Sequence, residues 1–143
     1  MLTEKRIVIT GAGSGIGRAT SILAAGYGAK VVCVDLNESV SSTVDEIKQN
    51  GGTATAVHAD VSDEAAVAEF INQCVAQHGG IDGIYANAGV SGGGKSLTEL
   101  TVEDWQRTLA VNTVGVFLAI KHSVPYFVSQ GQGAIVCTAS VAG

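Results

Sequence analysis

Glycines placed between an apolar run and a potential helix are the residues of this chain with the clearest chemical meaning. The stretch reads Thr10-Gly11-Ala12-Gly13-Ser14-Gly15-Ile16-Gly17 and directly follows Ile7-Val8-Ile9. Glycine allows tight turns with positive φ and lets backbone N–H groups approach a phosphate, while the next helix points its positive end at the same place. The stretch therefore predicts a pyrophosphate site.

The spacing of these glycines differs from the commonest dinucleotide fingerprint, G-x-G-x-x-G. Counted from Gly11, the third glycine position holds Ile16, and counted from Gly13 it holds Arg18. The pattern that fits is T-G-x-x-x-G-x-G. Asp35 ends the next apolar run, where an acid reaches the ribose hydroxyls of an adenosine and repels a 2′-phosphate. NAD is therefore the predicted cofactor, and the nearby Arg18 and Lys30 are weaker signs of NADP.

Apolar runs alternate with helical patterns along the whole chain. This alternation predicts an α/β fold, a Rossmann-type doubly wound parallel sheet with strand order 3-2-1-4-5. Ligands bind such sheets where the strand order reverses, here between strands 1 and 4. The predicted strands are Arg6 to Thr10, Lys30 to Asp35, Thr53 to Ala59, Ile81 to Ala86 and Ala134 to Ala139.

The predicted helices lie between these strands. The first covers about Gly15 to Tyr27, with Ile16, Ala19, Ile22, Leu23 and Gly26 expected to face the sheet. Asn37 or Ser39 is expected to cap the second, and Ser62-Asp63-Glu64 to open a third that buries Val67, Phe70, Ile71, Cys74 and Val75. A capping box at Thr101 opens a long helix to about Ser129. Its apolar side chains cover more than one face, so residues 102–129 are expected to form a homo-oligomer contact.

Composition restricts the class of protein. The 143 residues are 46% hydrophobic and 15% charged, which predicts one domain over residues 1–143. The net charge of -5 and the scattered Lys and Arg argue against nucleic acid. No signal peptide or membrane-length apolar run is visible, and Cys33, Cys74 and Cys137 read as reduced core residues, so a cytoplasmic protein is expected. The three histidines have no metal-ligand spacing, and no metal is predicted.

Taken together, these motifs resemble the classical short-chain dehydrogenase/reductase family over the whole chain. The resemblance rests on the glycine pattern, Asp60-Val61 after strand 3, Asn87-Ala88-Gly89 after strand 4, Asn112 in the long helix, and Ser140 followed by Val141-Ala142-Gly143. It implies catalytic roles for two residues: Ser140 binds the substrate carbonyl or hydroxyl, and Asn112 holds a proton-relaying water. The predicted cofactor-binding residues are Gly11, Ser14, Gly15, Ile16, Gly17, Asp35, Asp60, Val61, Asn87, Ala88 and Gly89.

The implied function is an NAD-dependent oxidoreductase that interconverts a small alcohol and a carbonyl compound by hydride transfer. The sequence departs from the family pattern in two places. Ala86 stands where the family usually has Asn, and the family's Tyr-x-x-x-Lys is absent, since none of the three tyrosines is followed by Lys four residues later. The tyrosine is the family's general acid and base. We therefore expect a C-terminally incomplete domain that is inactive alone.

Two other functions fit parts of the sequence. Residues 89–96, Gly-Val-Ser-Gly-Gly-Gly-Lys-Ser, match G-x-x-x-x-G-K-S, the phosphate-binding loop of nucleoside triphosphatases. Helix signals begin only at Thr101, which is too late for Lys95 and Ser96 to open a helix, so a loop over the substrate pocket explains Ser91 to Lys95 better. The second alternative is an NAD-binding module without catalysis, which needs neither Asn112 nor Ser140.

Overall fold

The strands of the computed structural model form one parallel sheet within residues 1–140, the part of the chain that the structure describes. They pair in the order β3-β2-β1-β4-β5, with every pairing parallel, which confirms the predicted topology. The carboxyl ends of β1 and β4 lie side by side at the switch point. The strands are β1 (Arg6–Thr10), β2 (Lys30–Asp35), β3 (Thr53–His58), β4 (Gly83–Ala86) and β5 (Ala134–Cys137).

Helices cover both faces of this sheet: α1 (Gly15–Gly26), α2 (Ser39–Gln49), α3 (Glu64–His78), α4 (Val102–Leu109) and α5 (Gly115–Gln130). The predicted long helix is present, but a π-helical turn, Ala110–Val114, separates α4 from α5. Such turns often occur at functional positions, and this one contains Asn112.

The core has two parts because alternate residues of each strand point to opposite faces. On one face, Val32 and Val34 of β2 pack with Phe70 of α3 and Leu118 of α5. On the other face, Val31 and Cys33 pack among residues of α1 and α2. All four of these β2 side chains are fully buried, as the continuous apolar run predicts. Residues Val67, Phe70, Ile71 and Cys74 of α3 are buried as expected, whereas Val75 is half-buried.

The expected inward face of α1 is wrong except at Ile22, which packs against the core. The buried residues are Gly17, Ser21, Ala24 and Ala25, whereas Ile16 and Leu23 are 64% and 60% exposed. Ala19 and Gly26 are also exposed, and Ile22 is only half-buried. The small residues face inward because α1 begins against the glycine loop, where a helix has to approach other backbone closely.

The cap of α2 is also different from the expectation. Glu38 occupies the cap position and makes no side-chain hydrogen bond to the helix. Asn37 instead donates from its backbone N–H, at 2.9 Å, and from its side chain, at 3.2 Å, to Oδ1 of Asp35. Asn37, just before α2, thus holds the acid that ends β2.

The expectation for the cysteines holds for two of the three. Cys33 and Cys74 are buried, and burial raises the pKa of their thiols to about 11 and about 12, so both remain protonated at neutral pH. Cys137 is exposed, because it lies on β5 at the edge of the described sheet, where all four residues are exposed. Within residues 1–140, no helix combines the length and hydrophobicity needed to cross a bilayer.

Candidate functional site

A cleft of about 500 Å³ lies at the carboxyl ends of the strands, at the predicted switch point. The segments that follow all five strands line it, together with residues of α4 and the π-helical turn. All the predicted cofactor residues except Gly17 line this cleft: Gly11, Ser14, Gly15, Ile16, Asp35, Asp60, Val61, Asn87, Ala88 and Gly89. Leu36, Asn37, Arg107, Val111 and Thr138 also line it and were not predicted.

The three glycines of T-G-x-x-x-G-x-G serve different purposes. Gly11 has a φ of +69°, and a Cβ there would lie 2.9 Å from Nδ2 of Asn87. Gly15 has a φ of +52°, and a Cβ there would meet nothing within 4 Å, so this glycine faces open space in the cleft. A Cβ on Gly17 would overlap the carbonyl group of Gly11. Gly11 and Gly17 therefore let backbone pack closely, whereas Gly15 leaves room for a ligand.

The N-terminus of α1 has the features of an anion site. Its cap residue, Ser14, makes no side-chain hydrogen bond to the helix, and its first turn has no acidic residue. In contrast, Asp63 caps α3 with Glu64 next to it, and Thr101 and Asp104 form the predicted capping box of α4. Uncapped N–H groups at a positive helix end attract an anion, and two residues of this turn, Gly15 and Ile16, line the cleft.

Asp35 lies at the end of β2 and is 9% exposed. Its Oδ2 accepts a hydrogen bond of 2.8 Å from the backbone N–H of Gly13, and its Oδ1 accepts the two bonds from Asn37. A carboxylate has about four lone-pair positions, so these three bonds leave acceptor capacity for a hydroxyl in the cleft. The glycine loop and the acid are thus directly joined.

Asp60 follows β3 and is held by two residues. Its Oδ1 accepts from the backbone N–H and the hydroxyl of Ser62, at 2.9 and 2.7 Å, and its Oδ2 accepts from Nη1 of Arg107 at 2.8 Å. Burial raises the pKa of the Asp60 carboxyl, but hydrogen bonds from Ser62 and Arg107 outweigh this and hold it below its ordinary value. The next residue, Val61, is buried and packs against Gly115. A Cβ added to Gly115 would lie 3.0 Å from Cγ2 of Val61.

Asn87 joins three strands at the carboxyl edge of the sheet. Its Nδ2 donates to the carbonyl of Thr10 at 3.1 Å, and its Oδ1 accepts from the hydroxyl of Thr138 at 2.9 Å. Oγ1 of Thr10 accepts from the N–H groups of Asn87 and Ala88, both at 3.0 Å. Thr10 and Thr138 thus position the loop that follows β4. Thr10 belongs to the recognised glycine motif, but nothing in the sequence around Thr138 indicates this role.

The side chain of Asn112 is engaged with the loop after β4. Its Oδ1 accepts from the N–H of Val90 and its Nδ2 donates to the carbonyl of the same residue, each at 2.8 Å. Gly89 packs against it, since a Cβ there would lie 3.4 Å from Oδ1 of Asn112. Ser140 comes three residues after β5 and is not among the residues that line the cleft. The motif residues Val141, Ala142 and Gly143 lie outside the described residues.

The second glycine loop, residues 89–96, has a different geometry from a phosphate-binding loop. Lys95 forms an ion pair with Asp104, at 2.7 and 2.9 Å, and Ser96 hydrogen-bonds Glu99. The next helix, α4, begins only at Val102. The described residues contain no group of three His, Cys, Asp or Glu side chains arranged to hold a metal ion.

Comparison with known proteins identifies the family. The model of the short chain dehydrogenase family matches residues 5–143, and the chain belongs to this family. The chain spans about half the length of the curated relatives it matches.

Relatives and solved structures agree with this assignment. Cyclohexanol dehydrogenase of Acinetobacter sp. is 40% identical over 141 residues, which are 98% of this chain and 56% of that protein. The crystal structure of NAD⁺-bound xylitol dehydrogenase superposes with a TM-score of 0.93 at 31% identity, over 99% of this chain and 55% of that one. The structure of a metagenomic short-chain oxidoreductase in complex with NADP superposes with a TM-score of 0.91 at 30% identity, over 98% of this chain and 64% of that one.

Proposed function

We propose that this chain forms the cofactor-binding part of an NAD-dependent oxidoreductase that interconverts a small alcohol and a ketone. The observation that carries the proposal is the cleft in which the uncapped N-terminus of α1 and the carboxylate of Asp35 lie together. The helix end suits a pyrophosphate and the acid suits ribose hydroxyls. A dinucleotide contains both groups. A nucleoside triphosphate would additionally require a lysine and a magnesium ligand from the protein at its phosphates.

The charges of the cleft favour NAD over NADP. The cation among the described lining residues is Arg107, and it is paired with Asp60. Neither Arg18 nor Lys30 lines the cleft, and both are already paired, Arg18 with Glu46 and Lys30 with Glu4. A 2′-phosphate near Asp35 would meet a carboxylate without a free cation to balance it. Solved relatives hold either NAD⁺ or NADP, so the preference for NAD proposed here rests on these local charges.

The bound nicotinamide would supply hydride transfer, and the chain's own residues would position the reactants. Asn87 and Asn112 hold the loop after β4 in place, and Ser140 is proposed to hydrogen-bond the substrate oxygen. The proposal assigns proton transfer to none of the 143 residues, which lack Tyr-x-x-x-Lys. The name of the cyclohexanol dehydrogenase relative favours a secondary alcohol as the substrate class.

Titration of the protein, expressed from its own gene, with NADH, NADPH and ATP-Mg²⁺ tests the cofactor. We expect NADH to bind at least about tenfold more tightly than NADPH, because charge repulsion at Asp35 amounts to more than about 1.4 kcal/mol. Asp35→Ser should reduce this preference. Binding of ATP-Mg²⁺ without binding of NADH would overturn the proposal.

Turnover separates the dehydrogenase from a binding module without catalysis. Reduction of NAD⁺ by cyclohexanol, followed at 340 nm, is expected for the dehydrogenase. Ser140→Ala should lower kcat and leave the Kd for NADH within about twofold, because Ser140 does not line the cofactor cleft. Binding of NADH without turnover of any of a series of secondary alcohols would favour the module.

We also propose that residues 102–129 form a homo-oligomer contact. Large apolar side chains remain exposed on both helices of this segment, among them Trp105, Leu109 and Phe117, which are 54%, 51% and 58% exposed. Exposed apolar surface of this kind marks protein contacts. Phe117→Glu should lower the mass found by sedimentation velocity, and an unchanged mass would contradict the proposal.

A further inference from the structure

Arg107 joins the two walls at one end of the cleft. It belongs to α4, and its Nη1 lies 2.8 Å from Oδ2 of Asp60 and 3.2 Å from the hydroxyl of Ser62, both in the loop after β3. Arg107 and Asp60 both line the cleft. The guanidinium group therefore forms part of the cleft wall and holds an acid of the opposite wall.

Helix α4 has few other attachments to this side of the molecule. None of its residues is buried. Asp104 bonds the preceding segment through Thr101 and Lys95, and Thr108 bonds within the helix. In the described part of the chain, Arg107 is the α4 side chain that hydrogen-bonds across the cleft to the loop after β3.

The order of the strands indicates which part of a dinucleotide reaches this end. In the proposed function, the pyrophosphate would lie at the loop after β1, on the helix end, and the adenosine ribose would lie at Asp35 after β2. The resemblance to the family implies that Asp60-Val61, in the loop after β3, would contact the adenine, and the order of the strands agrees with this direction. The nicotinamide half would then extend the other way, toward β4.

The chemistry of Asp60 suits the exocyclic amino group of adenine. An ionised carboxylate only accepts hydrogen bonds, so it favours an amino group and repels the carbonyl oxygen of a 6-oxopurine. The hydrogen bonds of Ser62 and Arg107 keep the pKa of Asp60 below its ordinary value and the group ionised. Ser62 holds Oδ1 and Arg107 holds Oδ2, so the direction of the carboxylate depends on both residues.

We propose that Arg107 is a positioning residue for cofactor selectivity, which aims the Asp60 carboxylate at the 6-amino group of the adenine and so favours adenine over hypoxanthine dinucleotides. The inference rests on the proposed function, because it requires a dinucleotide in the cleft. A purely structural role is a poor alternative explanation. Arg107 is partly exposed, and a partly exposed ion pair contributes only about 0–1 kcal/mol to stability.

The test compares NADH with its hypoxanthine analogue, reduced deamino-NAD, by fluorescence titration of the full gene product. We expect the wild-type protein to prefer NADH. Arg107→Met should weaken NADH binding about tenfold and the analogue less than about threefold, since only NADH loses a well-directed hydrogen bond. Arg107→Lys should restore part of the preference, because it keeps a cation near Asp60.

Lys30→Met is the matched control. It removes a cation paired with Glu4 at 2.6 Å, at the amino end of β2 and outside the cleft. We expect both affinities to stay within about twofold of the wild-type values. Melting temperatures show whether each variant is folded. If Arg107→Met does not fold, the test uses Arg107→Lys instead. A Lys variant that keeps the full wild-type preference for NADH, with no loss of NADH affinity, would contradict the directional role of Arg107.

The outcomes separate this inference from the proposed function. If wild-type protein binds neither dinucleotide, the proposed function fails and the inference fails with it. If NADH binds but Arg107→Met changes both affinities by the same factor or changes neither, the function stands and the inference is overturned. A wild-type protein that binds both dinucleotides equally would also overturn the inference alone.

Discussion

Two glycine-rich loops lie at the carboxyl edge of the same sheet, residues 11–17 after β1 and residues 89–96 after β4. The first leads directly into α1, whose N-terminus has no side-chain cap. The second is followed by α4 only at Val102, and its Lys95 and Ser96 bond the acids Asp104 and Glu99. The same residue type in neighbouring loops thus has two different outcomes. The first loop ends at a helix N-terminus without a side-chain cap, whereas the lysine and serine side chains that end the second loop are already paired with acids.

The largest expected effect comes from Gly17→Ala in the first loop. The added methyl group would overlap the Gly11 carbonyl and push α1 away from the loop. We expect a loss of about 1–3 kcal/mol in the free energy of unfolding and a weakening of NADH binding of about 100-fold or more. Urea denaturation and NADH titration measure the two effects. Wild-type affinity in a folded Gly17→Ala protein would show that the loop tolerates separation from the helix.

A control at the opposite edge of the sheet should change stability and leave both loops intact. Asp82 accepts from the Arg6 side chain at 2.7 Å and from its backbone N–H at 2.9 Å. The Arg6 hydrogen bond is the main cause that lowers the pKa of Asp82 from 3.8 to about 2. Asp82→Asn should therefore cost about 2 kcal/mol at pH 7 and leave NADH affinity unchanged.

The pH dependence of this cost has a definite sign. A carboxyl group whose pKa is lower in the folded state stabilises the protein above its unfolded pKa, and this contribution disappears as pH falls through the folded pKa. The difference between wild type and Asp82→Asn should be constant above about pH 5, shrink below about pH 4, and largely vanish near pH 2. A difference that stays constant down to pH 2 would show that the ion pair is not its cause.

A matched pair of glycine substitutions compares the loops directly. Gly15 and Gly93 have φ values of +52° and +69°, and a Cβ on either would meet nothing within 4 Å. Alanine should cost about 1–2 kcal/mol of stability at each position, because the strain is similar. Only Gly15→Ala should weaken NADH binding, by about tenfold, since Gly15 lines the cleft. Equal effects on binding would mean that the loops are not functionally different.

The smallest effect is expected for Lys95→Met. If residues 89–96 were a phosphate-binding loop, removing this lysine would weaken nucleotide binding. If the lysine only forms a surface ion pair with Asp104, its removal costs at most about 1 kcal/mol of stability. We expect NADH affinity to remain within about twofold of wild type. Loss of nucleotide binding in this variant would favour the triphosphatase interpretation of residues 89–96.

Sequence patterns predicted the elements well where local signals agree. The continuous apolar run of β2, the amphipathic residues of α3 and the capping box of α4 each depend on neighbouring residues, and the structure has all three. The inward face of α1 was predicted wrongly, because hydrophobicity alone placed Ile16 and Leu23 inside. Close packing against the glycine loop required the small residues there instead.

The sequence by itself determined the class of fold and the main residues of the cleft, because the glycine spacing, the acid that ends β2 and the alternation of strands and helices are local properties. Only the tertiary structure decided which polar groups meet. The bond between Arg107 and Asp60 joins residues 47 positions apart, and Asn112, which contacts Val90, lies in a π-helical turn that no sequence pattern predicted. Such pairings depend on how the loops and helices pack across the sheet edge, and no spacing along the chain encodes that geometry.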